Sequence, residues 1–281
     1  MIAIVGAAGQ LGSAFARHLG AAAIALTRAD FDVTDTESMR AVLTGRRPHL
    51  IINCAAYTAV ERAEAEPDRA FAVNAHAVGV MAGIAAEIGA AFATFSTDYV
   101  FNGTKRGPYV ESDEPDPLNV YGASKLEGER LALDTHPGPL VVRTSWLLSA
   151  THPNFVATIL DRVLSGSVQV ADDQFGRPTI ADDLVAASMA TLAAGADGVL
   201  HLANTPTVSW FELAREAVRL AGLDPAMVEP RASEAGASRV RRPANSALAS
   251  ERLERIGIDP LPPFAAGLQA VVAGRGPQSR S

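Results

Sequence analysis

Tyr121 and Lys125 stand four residues apart in the segment YGASKLEGER, and only Gly122, Ala123 and Ser124 separate them. The segment follows a proline-containing loop and continues with good helix formers, so we expect one helix face to carry both side chains. An ammonium group beside a phenol favours the phenolate, which predicts a Tyr121 pKa below the usual value of about 10. Such a phenol can exchange a proton near neutral pH. An amphipathic helix can also carry this pair by chance, so the rest of the chain has to decide.

Apolar runs that alternate with helical patterns position this pair. The runs MIAIV, AAIALT, PHLIINCAA, AAFATFST and PLVVRTSW are predicted strands, with helical segments between them. The alternation predicts an α/β fold, a doubly wound parallel sheet of the Rossmann type, with a smaller α/β substrate-binding lobe. We expect residues 1–144 and 180–203 to form the dinucleotide-binding domain, and 145–179 and 204–281 the lobe. The final GRGPQSRS is predicted to be disordered.

A glycine-rich turn, GAAGQLG, follows the first predicted strand and opens a helix. Gly6, Gly9 and Gly12 form the pattern G-x-x-G-x-x-G in that turn. Glycines let the backbone approach a pyrophosphate, and the helix N-terminus favours its charge. The turn therefore predicts a dinucleotide site that includes Gln10 and Leu11 at the start of the helix.

Arg28 lies near the end of the second predicted strand, in LTRADFDVTD, where no acid directly ends the strand. An acid there would bind the ribose 2′-hydroxyl of NADH, whereas a basic residue would accept the 2′-phosphate of NADPH. The sequence thus favours NADPH, with NADH as the alternative. A solvated surface charge is the other interpretation of Arg28.

The overall composition argues against several classes of protein. Cys54 is the single cysteine among 281 residues, so no internal disulfide can form and a reducing, cytoplasmic location is expected. The net charge of −7 argues against non-specific nucleic-acid binding. The N-terminus shows no basic leader and no apolar run of membrane length. The six histidines lack the paired spacing of a metal site, so no metal is predicted. Together with the charge and the N-terminus, the composition predicts neither a nucleic-acid nor a membrane partner.

Thr97 ends the predicted strand AAFATFST, at the sheet edge where parallel folds bind ligands. With Tyr121 and Lys125 it resembles the catalytic set of extended short-chain dehydrogenases/reductases. The resemblance implies that Tyr121 exchanges a proton with the carbonyl or alcohol oxygen, which Thr97 orients. It also implies that Lys125 lowers the tyrosine pKa and holds the nicotinamide ribose. The small residues of the helix would then keep it close to the nicotinamide.

Two further positions follow from the same resemblance. Asp32 and the backbone around Val33 resemble the adenine contact of this superfamily. Thr97, Asp98 and Tyr99 stand where sugar-nucleotide dehydratases carry Thr-Asp-Glu, and the serine-rich strand end of many epimerases is also absent. Simple hydride transfer is therefore the predicted chemistry.

Ten blocks in order resemble the dTDP-4-dehydrorhamnose reductase family, from residue 4 to about 248. They are GAAGQLG, INCAAYTAVERAEAEP, AVNA, STDYVFNG, YGASKLEGE, RTSWLL, NF, DQFGRPT, VSWFELA and RRPANSAL. The resemblance implies reduction of the C4 ketone of dTDP-4-dehydro-L-rhamnose with NADPH or NADH. It implies cofactor contacts at Ala55, Ala56 and Tyr57. The implied substrate contacts are Thr58, Thr97, Asp98, Tyr99, Tyr121, Trp146, Asn154 and Arg177.

Several alternatives stay open at this point. Trp146 could be a core aromatic, Phe155 and Trp210 fit core positions better than ligand contacts, and Arg241 and Arg242 could be surface charges or phosphate ligands. Glu61 stands where family members commonly carry aspartate. Another nucleotide-sugar reductase or epimerase is the alternative enzyme, and a regulatory subunit like that of methionine adenosyltransferase is the alternative of another class. The base of the substrate, and the choice between monomer and homodimer, are not fixed by the sequence.

Overall fold

The computed structural model describes residues 1–233 and 240–274, so residues 275–281 of the predicted disordered tail lie outside it. Six parallel strands form the central sheet in the order β10-β5-β4-β3-β1-β2. These strands are β1 (Ile2–Val5), β2 (Ala23–Leu26), β3 (Leu50–Asn53), β4 (Ala91–Thr97), β5 (Leu140–Thr144) and β10 (Gly198–His201). The predicted doubly wound parallel sheet is confirmed, and GVLHLAN supplies its strand β10, next to β5.

Helices cover both faces of this sheet because successive strand residues point to opposite sides. Ile2 and Ile4 of β1 enter one core, whereas Ala3 and Val5 enter the other. Helices α1 (Gln10–Leu19) and α8 (Ala181–Ala193) cover the first core. On the second face lie α2 (Thr36–Arg46), α5 (Ala77–Ile88) and α6 (Val120–Thr135).

Helix α5 continues an irregular helical stretch. α3 (Val60–Ala65) and α4 (Pro67–Phe71) precede it, and a π-helical turn at Ala72–His76 joins α4 to α5. The segment Pro67–Ile88 is long and apolar enough to cross a membrane, but half of its most apolar window is buried inside the protein. It packs on α2 and α6, as a core helix does.

A third apolar core lies beside the main sheet, apart from the two that flank it. Its elements are β6 (Leu147–Leu148), α7 (Phe155–Val163), β7 (Val168–Ala171), β8 (Phe175–Gly176), β9 (Thr179–Ile180), β11 (Val208–Ser209), α9 (Trp210–Leu220), β12 (Val228–Arg231) and α10 (Phe264–Ala273). The pairs β7–β12, β8–β11 and β6–β9 form two-stranded sheets. The segment VQVADDQFGRPT, whose sequence is typical of a strand that runs into a loop, contains β7, β8 and the start of β9, and these belong to different sheets.

Candidate active site

The glycine turn opens onto a cavity at the carboxyl edge of the sheet. Its volume is about 390 Å³, and we call it the glycine-loop cavity. It is lined by Val5, Gly6, Ala8, Gly9, Thr27, Arg28, Phe31, Val33, Cys54, Ala55, Ala56 and Val73. The ends of β1, β2 and β3 converge here because they are parallel neighbours in the sheet.

Two glycines of the turn are required by close backbone approach. Gly6 has φ +76°, and a Cβ there would lie 2.6 Å from the Ala55 amide nitrogen. A Cβ on Gly12 would lie 2.3 Å from the Gly6 carbonyl oxygen. Gly9 is the N-cap of α1 and meets nothing closer than 3.4 Å. The turn therefore leaves open space in front of the first turn of α1, as an anion at a helix N-terminus needs.

The side chains of Gln10 and Leu11 do not face the glycine-loop cavity. Leu11 is buried in the first core, so the predicted cofactor contact there is limited to its backbone. Gln10 lines a neighbouring cavity, and its buried Oε1 has no hydrogen-bond partner within the described part of the chain. A buried oxygen of this kind marks a place where a ligand donor fits.

Arg28 and Asp32 have different surroundings at the end of β2. Arg28 lines the cavity with a 77% exposed side chain, and its Nε lies 3.8 Å from Asp32. Asp32 accepts hydrogen bonds from the Thr34 backbone at 2.9 Å and hydroxyl at 2.7 Å, which lower its pKa. The Asp32 carboxylate thus stabilises its own turn, whereas Val33 lines the cavity. A weak, exposed ion pair leaves Arg28 free to bind an anion.

Of the three predicted contacts after β3, Ala55 and Ala56 line the cavity. Tyr57 is bound elsewhere: its hydroxyl donates to Glu66 at 3.0 Å, and its amide donates to Asn74 at 2.8 Å. The structure therefore gives the Tyr57 side chain a protein partner, and it does not bring this side chain into the cavity.

The predicted trio comes together at the ends of β4 and α6. Thr97 is the last residue of β4, and Tyr121 is the second residue of α6, whose N-cap Asn119 accepts from the Gly122 amide. The Thr97 hydroxyl donates to Asp98 at 3.0 Å, and its interaction with the phenol opposes the rise of the Tyr121 pKa. Lys125 is 4% exposed, and its Nζ donates to the Phe95 carbonyl at 2.5 Å.

The predicted fall in the Tyr121 pKa is wrong for the protein alone. Burial raises the pKa of Tyr121, and the charges of Asp98 and Tyr99 raise it further. Burial also lowers the pKa of Lys125 to about 8. The ammonium group is bound to the Phe95 carbonyl. Desolvation, which the spacing of two residues cannot reveal, is the largest cause of the raised Tyr121 pKa.

Asp98 and Tyr99 follow Thr97 in a short 3₁₀ turn (Asp98–Val100). Asp98 is 3% exposed, and burial raises its pKa to about 6. Burial raises the pKa of Tyr99 to about 12, and its ring meets that of Tyr121 edge-on, with centroids 5.7 Å apart. Burial thus opposes ionisation of both side chains next to Thr97 and Tyr121.

The small residues around Tyr121 have a packing reason that differs from the predicted one. A Cβ on Gly122 would lie 2.1 Å from the Tyr99 carbonyl oxygen, and one on Gly128 would lie 2.0 Å from that of Asn74. Ser124 is fully buried and accepts from the Asn74 amide at 3.0 Å. These residues let α6 approach the 3₁₀ turn and the π-helical turn, so the contacts that require them are made within the protein.

A cavity of about 310 Å³ is lined by Thr97 and Tyr121 of the trio, and we call it the Tyr121 cavity. It is lined by Gln10, Thr58, Val60, Thr97, Asp98, Tyr99, Tyr121, Trp146, Leu147, Leu148, Asn154, Phe155 and Trp210. Seven of the eight predicted substrate contacts lie in this set, and Arg177 is the exception. The structure thus brings residues of the main sheet domain and residues that pack on the third core to one concave site.

Trp146 is held in this cavity by an aromatic stack and an unusual backbone. Its φ is +46°, a left-handed conformation that costs a non-glycine residue free energy. Its ring stacks on Trp210 at 3.5 Å and 8°, and Trp210 contacts Phe155 at 4.4 Å. Phe155 and Trp210 pack against the third core, as expected, and they also line the cavity. Their positions in the blocks NF and VSWFELA were the sequence signal that could have indicated a place in the substrate site.

Asn154 and Arg177 make hydrogen bonds that support the fold. Asn154 caps α7 by accepting from the Ala157 amide at 3.1 Å, and it donates to the Ser149 carbonyl at 2.7 Å. Arg177 donates to the Thr207 hydroxyl at 3.3 Å, and burial lowers its pKa. The roles of both residues in substrate binding stay predictions.

A third cavity, the arginine cavity, has a volume of about 480 Å³ and shares Phe155 and Trp210 with the Tyr121 cavity. Its other lining residues are Ile159, Arg162, Gln169, Val170, Ala171, Gln174, Arg231, Ser233 and Arg242. Arg242 donates to Glu61 at 2.8 Å, whereas the buried Nε of Arg231 has no partner among the described residues. Arg241 is exposed. Sequence reasoning did not single out Arg162 or Arg231.

Metal ligands are not grouped in this site. Within 1–233 and 240–274, no three His, Cys, Asp or Glu side chains are placed to hold a metal ion.

Comparison with known proteins gives the family. Residues 1–275 match the family described as RmlD substrate binding domain. A dTDP-4-dehydrorhamnose reductase of Streptomyces griseus is 41% identical over 275 residues, 94% of this chain and 90% of that protein. A dTDP-4-keto-6-deoxy-D-glucose reductase of Streptomyces niveus is 38% identical over 92% of this chain and 91% of its own length.

A solved structure agrees with these sequence matches. The dTDP-4-dehydrorhamnose reductase of Bacillus anthracis in complex with NADP superposes with a TM-score of 0.93 at 33% identity. The match covers 97% of this chain and 98% of that one. Identity above 30% over nearly the whole chain, together with the same fold, leaves one assignment. The chain belongs to the dTDP-4-dehydrorhamnose reductase family.

Proposed function

We propose that this protein reduces the C4 ketone of dTDP-4-dehydro-L-rhamnose to the alcohol of dTDP-L-rhamnose, with NADPH as the hydride donor. The observation that carries the proposal is the Tyr121 cavity, which is lined by Thr97 and Tyr121 and by the Trp146–Trp210 stack. One cavity thus offers a hydroxyl pair that can bind a carbonyl oxygen and an apolar surface on which a sugar can lie.

The glycine-loop cavity fits the proposed cofactor. Its glycine turn and α1 N-terminus suit a pyrophosphate, and the exposed Arg28 suits a 2′-phosphate. The cofactor, when bound, supplies the hydride for the reduction. Gly6, Gly9 and Arg28 would hold its phosphates, and Ala55 and Ala56 would lie beside it.

The proton chemistry is assigned to Tyr121. Its raised pKa keeps the phenol protonated at neutral pH, so it can donate to the oxygen of the reduced ketone. Thr97 orients that oxygen with its hydroxyl. Lys125 keeps a positive charge close to the site, which stabilises the phenolate that remains after proton transfer.

We assign the nucleotide of the substrate to the arginine cavity. Arg162, Arg231 and Arg242 offer charge to a diphosphate, and Phe155 and Trp210 offer flat surfaces to a base. The buried Nε of Arg231, which has no partner within 1–233 and 240–274, is a group that needs an acceptor. Arg177 lies outside the lining of both cavities, so Arg231 is the better candidate for the diphosphate contact.

A second candidate function is reduction of a related dTDP-4-keto-6-deoxy sugar, because the Streptomyces niveus relative carries such a name at 38% identity. The two functions require the same residues and differ in the sugar. Rates of NADPH oxidation with dTDP-4-dehydro-L-rhamnose and with dTDP-4-keto-6-deoxy-D-glucose decide between them. A higher kcat/KM for the first supports our proposal, and a higher value for the second supports the alternative. Oxidation of NADPH with neither sugar would refute both.

A further inference from the structure

A buried ion pair lies directly behind Lys125. Glu129 is 3% exposed and Arg143 is 4% exposed. The Arg143 Nη2 donates to Glu129 Oε2 at 2.7 Å, and its Nε lies 3.0 and 3.1 Å from the two carboxylate oxygens. A buried pair is seldom more stabilising than apolar residues of the same volume. Its presence beside a catalytic lysine therefore calls for a role other than stability.

The pair is fixed by a row of polar side chains across the sheet. Ser96 of β4, Arg143 of β5 and His201 of β10 are neighbours in register. The Ser96 hydroxyl donates to Glu129, and Arg143 Nη1 lies 3.4 Å from His201 Nε2. The row holds the Glu129–Arg143 pair from both sides.

His201 fixes the direction of this row. Its Nδ1 lies 3.2 Å from the Tyr109 carbonyl and 3.0 Å from that of Ala249. Carbonyls only accept, so Nδ1 carries the proton and Nε2 is the lone-pair side that accepts from Arg143. Burial first, and then the charge of Arg143, lowers the pKa of His201, which keeps the ring neutral. Arg143 therefore has one charged partner, Glu129, and one neutral acceptor.

Two successive turns of α6 are tied to the end of β4. Tyr121, Lys125 and Glu129 are spaced by four residues, so they follow one face of the helix. Lys125 donates to the carbonyl of Phe95, and Glu129 accepts from the hydroxyl of the next residue, Ser96. Thr97 comes immediately after Ser96. The same two contacts thus set the position of α6 against the strand that carries Thr97.

Glu129 is also the carboxylate that opposes the desolvation of Lys125. Burial lowers the pKa of Lys125 to about 8, and the charge of Glu129 acts in the opposite direction. Among the described residues, the other titratable group that acts on Lys125 is the Cys54 thiol, which follows β3. The Tyr121 phenol belongs to the preceding turn of α6. Burial raises the pKa of both, so neither supplies a negative charge near neutral pH.

We propose that Glu129, oriented by Arg143, is a positioning residue that keeps Lys125 charged and fixed against β4. Lys125 acts on the proton-donating tyrosine, and Glu129 acts through Lys125. The consequence for turnover rests on the proposed reductase function, but the effect on Lys125 can be measured without any substrate.

The chain has two lysines, Lys105 and Lys125, which makes a direct measurement simple. Protein labelled with ¹³C at the lysine ε-carbon gives two NMR signals, whose shifts report each pKa during a pH titration. Lys105 pairs with Asp113 at the surface and serves as the internal reference. The variant is Glu129→Gln. The matched control is Glu127→Gln, which breaks an exposed pair with Arg130 on the same helix.

We expect the Lys125 pKa to fall by about one unit or more in Glu129→Gln, a tenfold loss of proton affinity. It should be unchanged in Glu127→Gln, and Lys105 should be unchanged in both. If Glu129→Gln does not fold, the double variant Glu129→Gln/Arg143→Met removes both charges and leaves no unpaired guanidinium. A Lys125 titration in the folded variant equal to that of the control would overturn the proposal.

A second measurement separates this inference from the proposed function. With the sugar substrate, the loss of activity at alkaline pH should begin at lower pH in Glu129→Gln than in the parent, and Glu129→Asp should restore it. If the parent does not turn over the sugar, the proposed function fails while the NMR titration still decides the role of Glu129. A normal titration with a shifted activity profile would count against the proposed route through Lys125.

Discussion

Substitution of Gly176 by alanine perturbs the Trp146 stack by placing a methyl group against the indole ring. A Cβ on Gly176 would lie 2.4 Å from Trp146 Cε2 and 2.6 Å from Cζ2. Carbon atoms pack at about 3.5–4.0 Å, so the indole has to move by roughly 1 Å. Its neighbour Trp210 stacks at 3.5 Å, which means that the movement disturbs the stack as well.

The expected effects on substrate binding and on stability follow from these contacts. An aromatic pair contributes about 0.5–1.5 kcal/mol beyond its buried area, which corresponds to roughly a twofold to tenfold change in affinity. We expect KM for the dTDP-sugar to rise by that factor in Gly176→Ala. The Kd for NADPH should stay unchanged, because Gly176 and Trp146 lie outside the glycine-loop cavity. Overpacking should also lower the free energy of unfolding by about 1–3 kcal/mol.

The assay is NADPH oxidation over a range of sugar concentrations, with NADPH binding titrated separately. Gly45→Ala is the control, since Gly45 lies in α2 and a Cβ there meets nothing within 4 Å. A folded Gly176→Ala protein with the KM of the parent would refute the argument that the stack binds the sugar. A loss of NADPH affinity in the same variant would refute the separation of the two cavities.

Four further outcomes are expected. Tyr121→Phe should lower kcat by roughly 10²–10⁴ while the NADPH Kd from titration stays the same, because a positioned acid is lost. Arg28→Ala should raise the Kd for NADPH and leave that for NADH unchanged, and equal changes would contradict the 2′-phosphate contact. Arg231→Ala should raise KM for the dTDP-sugar roughly tenfold to a hundredfold, and Arg177→Ala should change it less. The folded Asp98 pKa of about 6 exceeds its ordinary value of 3.8, so the folded state holds this proton more tightly. The tighter proton binding stabilises the folded state by about 3 kcal/mol. This stabilisation is fully present below about pH 4 and is lost as the pH rises through 6. In Asp98→Asn, the free energy of unfolding measured with denaturant should not show this decrease between pH 4 and pH 7.

Local patterns in the sequence were enough to predict the scaffold and the trio. The glycine turn and the Tyr121–Lys125 spacing each depend on a few neighbouring residues, and the alternation of strands and helices fixed the sheet. Thr97 could be added because parallel strands end at one edge. These features are local or follow from a general rule of α/β folds.

Features that depend on contacts between distant segments could not be predicted in this way. The Tyr121 pKa depends on burial by residues far along the chain, and desolvation reversed the expected direction. Phe155 and Trp210 are 55 positions apart, and both resemble core residues until α7 and α9 meet beside Trp146. Arg231 lines the arginine cavity because β12 pairs with β7, and no local sequence pattern predicts this pairing.

Deuterium transfer tests the central claim most directly. NADPH that carries deuterium at the transferable position is incubated with dTDP-4-dehydro-L-rhamnose and the protein, and the product is examined by NMR. Our account predicts dTDP-L-rhamnose with deuterium at C4, formed at a rate that falls at least a hundredfold in Tyr121→Phe. Deuterium at another carbon, a product without deuterium, or equal rates in the parent and Tyr121→Phe would contradict it.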